Sequence, residues 1–175
     1  WTRPSPARNH GLASTREEAM MPHYTYRLDP DLSDNPRFLD LVRHWDSKRA
    51  GRPLPLRADI DPLDLRTHLG SLNLIECLPG YEDFRYRLIG TKITEAYGRD
   101  STGRTVRELY AESDVEYRDF LLAWYRDVSL QQKIGRAEGT LRPVNHEFRN
   151  FDSLLLPLAN DTGGVGWILN EVTIL

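Results

Sequence analysis

The spacing of apolar residues changes period several times along this chain, and each change marks an element. Phe38, Leu41, Val42 and Trp45 fall at i, i+3, i+4 and i+7, the single stripe of an amphipathic helix. Asn35 followed by Pro36 supplies the start of that helix, an amide cap and a proline suited to the first turn. Gly51 and Pro53 end it, and Arg52-Pro53-Leu54-Pro55 is an extended connector because proline fixes its own φ and restricts the residue before it. Asp61-Pro62 opens a helix carrying Leu63, Leu65 and Leu69, with Gly70 at its end. Residues 72–78 read as a first strand and Pro79-Gly80 as a turn. A second strand follows over 84–89, where Phe84, Tyr86 and Leu88 alternate with Arg85 and Arg87.

Gly90 breaks the alternation. Thr91 caps a stub helix with Ile93, Ala96 and Tyr97 on its buried side, and Gly98 stops it. Thr102-Gly103 is a further turn, and Val106, Leu109 and Tyr110 form a short helical segment. Ser113 and Glu116 have the spacing of a capping box. The helix they start runs to about 132, with Tyr117, Phe120, Leu121, Trp124 and Val128 as its buried face. Residues 135–141 predict a third strand, Pro143 to His146 a turn, and 147–158 a fourth strand. The unbroken Leu154-Leu155-Leu156 suggests a strand covered on both faces. Asn160-Asp161-Thr162-Gly163-Gly164 is a hairpin turn leading into a fifth strand over 165–175. Residues 1–33, rich in Pro, Arg, Ser and Asp with isolated Tyr24, Tyr26 and Leu28, read as a flexible tail. The expected organisation is therefore a tail over 1–33 and one domain over 34–175, divided into a helical extension (34–70) and a sheet core (71–175). Residue 1 is Trp, so the expectation is a fragment or a start out of frame with the initiator, for which Met20 and Met21 are candidates.

Composition narrows the class. The 175 residues suit one domain plus a tail, and no run approaches the length of apolar sequence that spans a bilayer. No secretory leader is legible in the first thirty residues, so the expected location is cytoplasmic. A net charge of −3 gives no general field toward nucleic acid. The basic residues are twenty Arg against three Lys, spread along the chain instead of clustered, the pattern of a coding bias. The single cysteine, Cys77, excludes an internal disulfide and a cysteine-based zinc site.

The stretch 85–104, strand to glycine turn to stub helix to second glycine turn, resembles the centre of a PAS domain, and more narrowly a bacterial PAS-like family first catalogued as a domain of unknown function. The residues that carry the resemblance are Trp45 and Arg49, Arg52-Pro53-Leu54-Pro55, Asp61-Pro62, Leu88-Ile89-Gly90-Thr91, Gly98, Thr102-Gly103 and Leu154-Leu155-Leu156-Pro157-Leu158. The resemblance implies an α+β fold: a five-stranded antiparallel sheet in the order 2-1-5-4-3, helices on one face, and an extra N-terminal helix. It implies a sensory or regulatory module that binds a small ligand or a protein partner, forms a homodimer and signals through a separate output protein.

A PAS pocket lies between sheet and helices. The candidates for it are Tyr86, Leu88, Ile93, Tyr97, Phe120, Trp124 and Trp167, with Leu154, Leu156 and Leu169 completing the wall. Tyr97 leads among them, because a buried phenol needs a hydrogen-bond partner. The stripe of Phe38, Leu41, Val42 and Trp45 is the candidate dimer interface, with packing on its own domain as the alternative. Flavin photochemistry is disfavoured because Cys77 sits on a strand. Haem is disfavoured because none of His10, His23, His44, His68 and His146 falls on the pocket helices. The cofactor, if any, is unknown. Two competing functions are a ligand-free interaction module and a small cone-fold enzyme using Glu138 and His146 on neighbouring strands. With no nucleophile elbow, phosphate loop or metal-spaced cluster in the sequence, a non-enzyme is the expectation.

Overall fold

The computed structural model describes residues 23–141 and 149–175. One antiparallel sheet runs through the centre. Its strands are β1 (His23–Leu28), β2 (Leu72–Cys77), β3 (Phe84–Ile89), β4 (Gly135–Leu141), β5 (Arg149–Ala159) and β6 (Val165–Ile174), in the order β1-β4-β5-β6-β2-β3. Helix α1 (Pro36–Ser47) precedes β2, and α2 (Thr91–Tyr97), α3 (Val106–Leu109) and α4 (Val115–Gln131) lie between β3 and β4. The five strands expected from sequence occur in the expected order. A sixth strand, β1, is added at the β4 edge.

That sixth strand corrects the tail assignment. Tyr24, Tyr26 and Leu28 form the more sheltered alternate positions of β1, and the two tyrosines lie against α4. Tyr24 stacks 5.1 Å from Phe120, and the Tyr26 hydroxyl donates to Asp127 at 2.5 Å. Gly139 makes the pairing possible, since a Cβ there would collide with the His23 carbonyl oxygen.

The helices between β3 and β4 lie on one face of the sheet, as expected, and the extra N-terminal helix covers the other. On one side lies α4, with Trp124, Leu121 and Val128 buried. On the other lies α1. Phe38 and Leu41 are fully buried there, Phe38 sits under the Arg136 guanidinium, and the Trp45 indole donates to the Pro157 carbonyl at 2.9 Å. The stripe of Phe38, Leu41 and Trp45 is thus covered by its own chain, with Val42 half-buried beside it, and it does not offer those side chains to a second copy. The Asn35 cap forms as expected, accepting from the Phe38 amide.

Two ion clusters, built around the buried Arg136 and Glu171, fasten the α1 layer. Arg136 bridges Asp152 and Asp34 through paired hydrogen bonds, which hold its guanidinium even more firmly protonated than usual. Glu171, fully buried on β6, accepts from Arg37 of α1 and lies 3.0 Å from His68 Nδ1, while His68 Nε2 lies 3.2 Å from Asp40.

Several boundaries differ in detail. Asp61-Pro62 opens a single 3-10 turn (Pro62–Leu65) instead of a helix, and Leu63 is exposed. Helix α4 is capped by Asp114, not Ser113, and the capping box sits earlier, between Thr105 and Glu108. Gly90 is the cap of α2 with φ −65° and ψ 149°, so left-handed geometry does not explain the glycine. Close approach does: a Cβ there would lie 2.7 Å from the Leu69 carbonyl oxygen and closer still to that of Gly70. Gly90→Val should therefore force the β3–α2 junction away from the turn beneath it. The expected loss is about 1–3 kcal/mol of stability, read as a lower urea midpoint at unchanged slope. An unaltered midpoint would place that turn elsewhere.

Candidate functional site

A cavity of about 50 Å³ lies between the sheet and α2, α3 and α4. Of the sequence candidates, Tyr86, Ile93, Tyr97 and Trp124 line it. Phe120 lies one step aside, packed on Tyr24, Tyr26 and Trp124 where α4 meets β1.

Leu88 does not line it, and the reason is a β-bulge. The β2–β3 register shifts between Leu74 and Ile75, so that Ile75 opposes Tyr86 and Leu74 opposes Leu88. One extra residue in a strand reverses the facing of the residues beyond it. Ile89 therefore takes the cavity position, and Leu88 lies 45% exposed beside an apolar groove with Leu65, Leu69 and Leu74 on the other face. Trp167 and Leu169 also belong to that other face. Trp167 lies under the Arg57 guanidinium, 5.2 Å from its ring centre, and Leu169 lines the same groove. Their neighbour Asn170 points into the cavity. On β5, Phe151 and Ser153 line the cavity, so Leu154 and Leu156 fall on the opposite face by strand alternation.

The cavity wall is richer in phenols than the sequence candidates indicated. Tyr110, Tyr117 and Tyr125 join Tyr86 and Tyr97. The hydroxyls pair: Tyr86 with Tyr125 at 3.0 Å, and Tyr97 with Tyr117 at 3.2 Å. Burial pushes all five phenols above their ordinary range. Arg99, exposed just beyond α2, lays its guanidinium 5.5 Å from the Tyr110 ring centre and joins the cavity wall.

The floor carries a polar relay across three strands. Asn170 donates its amide hydrogens to Ser153 Oγ at 2.7 Å and to the Leu154 carbonyl at 3.0 Å. Asn73 Nδ2 donates to Asn170 Oδ1 at 3.0 Å. Asn73 is only 5% exposed, and its Oδ1 has no protein donor. Sequence reasoning missed this relay because Asn73 and Asn170 interrupt apolar strands, where a polar residue reads as facing solvent.

Other candidate chemistry lies elsewhere. The Cys77 thiol is pushed up to about 12 by burial and contacts Ser129, outside the cavity lining. Among the described residues no histidine lines the cavity. His68 is buried with Glu171 and Asp40, and His44 lies on α1. Glu138 is a half-exposed residue on β4, paired with Arg27 and Arg136 at 3.3 Å, not a carboxyl in an apolar pocket. Its expected partner His146 lies outside the described residues, as do His10 and the expected turn from Pro143. No group of three or more metal-ligating side chains occurs among the described residues, and no described helix is long and apolar enough to cross a membrane.

An antiparallel sheet with a helical layer closing over a small cavity defines an α+β domain. The PAS domain family model matches residues 34–170. This chain belongs to the PAS domain family. Among solved structures it is similar to an RNA-binding Light-Oxygen-Voltage receptor, with 15% identity and a TM-score of 0.50 over 87% of this chain and 39% of that one. The chain thus spans well under half the length of that receptor. It is also similar to a Light-Oxygen-Voltage domain studied with a flavin analogue (14% identity, TM-score 0.49, 67% of this chain and 87% of that one). A third likeness is to a sensory box histidine kinase/response regulator from Burkholderia thailandensis E264 (13% identity, TM-score 0.41, 66% and 85%). At 15% identity the property shared with the RNA-binding receptor is the fold. Among curated proteins none matches the sequence.

Proposed function

We propose that this domain is a sensory module that takes a small ligand between its sheet and α2–α4 and reports it to a separate signalling protein. The observation that carries this reading is Asn73 Oδ1, a buried acceptor without a protein donor, set in the floor of an aromatic-walled cavity. The cavity, about 50 Å³, is small beside the roughly 300–1,000 Å³ of typical ligand pockets. Occupancy therefore requires the helical side to open. That side consists of short elements: α2 is seven residues and ends at Gly98 with φ 67°, and α3 is four. A ligand that binds the opened arrangement better than the closed one shifts the population between them, and the helical surface changes with it.

The only cysteine lies outside the cavity lining with a thiol held protonated by burial, so this chain turns no thiol toward a ring bound there. The reading requires no catalytic residue.

A second reading, a protein-interaction module that self-associates, draws on one observation. Leu69 and Leu88 are exposed on the apolar groove beside β3, a strand at the sheet's edge. One measurement separates the two. Native mass spectrometry of protein purified from its own host, followed by denaturation, should release a bound small molecule. A clean apo mass in every preparation, carried by a dimer, would favour the interaction reading instead.

A further inference from the structure

The polarity of the floor relay specifies what the ligand must bring. A backbone carbonyl can only accept, so the Leu154 carbonyl fixes the Asn170 amide with its NH2 group toward β5. Asn170 Oδ1 therefore faces Asn73, and Asn73 must turn its own NH2 group to meet it. Asn73 Oδ1 is what remains, a buried acceptor without a protein donor on a residue that lines the cavity. The relay is a one-way chain from β5 through β6 to β2, ending in an acceptor.

The other walls add two further requirements. Tyr86, Tyr117, Tyr125 and Trp124 give aromatic surfaces against which a flat ring packs. At the α2 side Arg99 brings a cation that forms none of the ion pairs among the described residues. A guanidinium in that position suits a carboxylate.

Resting on the ligand-sensing reading above, we infer that the site takes a small planar aromatic acid, with an O–H or N–H donor for Asn73 Oδ1 at one end and a carboxylate for Arg99 at the other. The walls exclude a ring whose inward end is only an acceptor, since two acceptors would then face each other in a buried space.

Four one-ring probes test this on the full chain by protein-observed NMR titration. 4-Hydroxybenzoate carries both donor and acid; 4-methoxybenzoate keeps the acid alone; 4-hydroxyacetophenone keeps the donor alone; 4-methoxyacetophenone has neither. 4-Hydroxybenzoate should bind tightest. Masking the donor should weaken binding about tenfold, and so should removing the charge. Arg99→Ala, a change at an exposed position, should erase the advantage of the acid over the ketone while leaving the hydroxyl preference intact. Equal affinity for hydroxyl and methoxy probes would overturn the assignment of Asn73 as a ligand acceptor and leave cavity binding standing. An acid preference that survives in Arg99→Ala would overturn the role of Arg99. No shift at any cavity residue with all four probes would overturn the inference; the sensing reading beneath it falls only if native mass spectrometry also finds no released small molecule.

Discussion

Raising the pH beyond about 10 should unfold this domain in one steep step. Tyr86, Tyr117 and Tyr125 are at most 8% exposed, and burial holds their phenols protonated well above the 10.0 of a free tyrosine. Tyr26 is raised to about 12, by burial first and then by its hydrogen bond to Asp127. In the unfolded chain all of these ionise near 10. Above that pH the unfolded state binds fewer protons than the folded one, so stability falls as pH rises; below it the contribution is complete. Each such phenol removes about 1.4 kcal/mol per pH unit, and three fully buried ones remove about 4. A domain with the usual 5–15 kcal/mol then loses its fold between roughly pH 11 and 14. Tyrosinate absorbance and loss of near-ultraviolet circular dichroism should rise together. A smooth tyrosinate titration centred on 10 with the fold intact would show that these phenols are open to water.

The second large effect concerns the latch between α1 and β6. Arg37→Met leaves the fully buried Glu171 carboxylate with His68 as its only side-chain partner among the described residues. Breaking a buried pair by removing one member costs about 3–5 kcal/mol, because the other stays behind uncompensated. Arg37 is partly exposed, so about 3 is expected, read from urea unfolding. Adding Glu171→Gln should then recover at least half of the loss, since no buried charge remains. A double variant less stable than Arg37→Met alone would mean that the carboxylate has another source of support.

The order of elements is legible in the sequence because their periods are. The α1 stripe, the alternation in β3 and the buried face of α4 are each long enough to fix a type. What the pattern does not carry is phase where both faces are covered. Leu154-Leu155-Leu156 is apolar throughout, so nothing in it says which leucine looks toward the cavity, and the Trp167–Leu169 pair suffers the same ambiguity. The β3 bulge is set by pairing with β2, and no single residue announces it, which is why alternation alone puts Leu88 on the wrong face. Strand β1 is different. Tyr24, Tyr26 and Leu28 do alternate, but a polar, charged neighbourhood outweighs three residues of period 2. Gly139, opposite them, means something only once the partner strand is known. The α1 stripe is legible as a surface needing cover. Periodicity cannot tell whether that cover comes from the same chain.

Asn170 and Glu171 are consecutive residues on β6 that face opposite ways. Asn170 belongs to the cavity floor, and Glu171 holds α1 from behind. The two layers of this domain are therefore back to back across a partition one residue thick. Linkage across such a partition obeys reciprocity: whatever free energy a cavity ligand contributes to the hold on α1, a change in that hold returns to the ligand's affinity. The sheet is then more than a scaffold between two helical layers. It is the shortest path by which the state of one can be felt by the other.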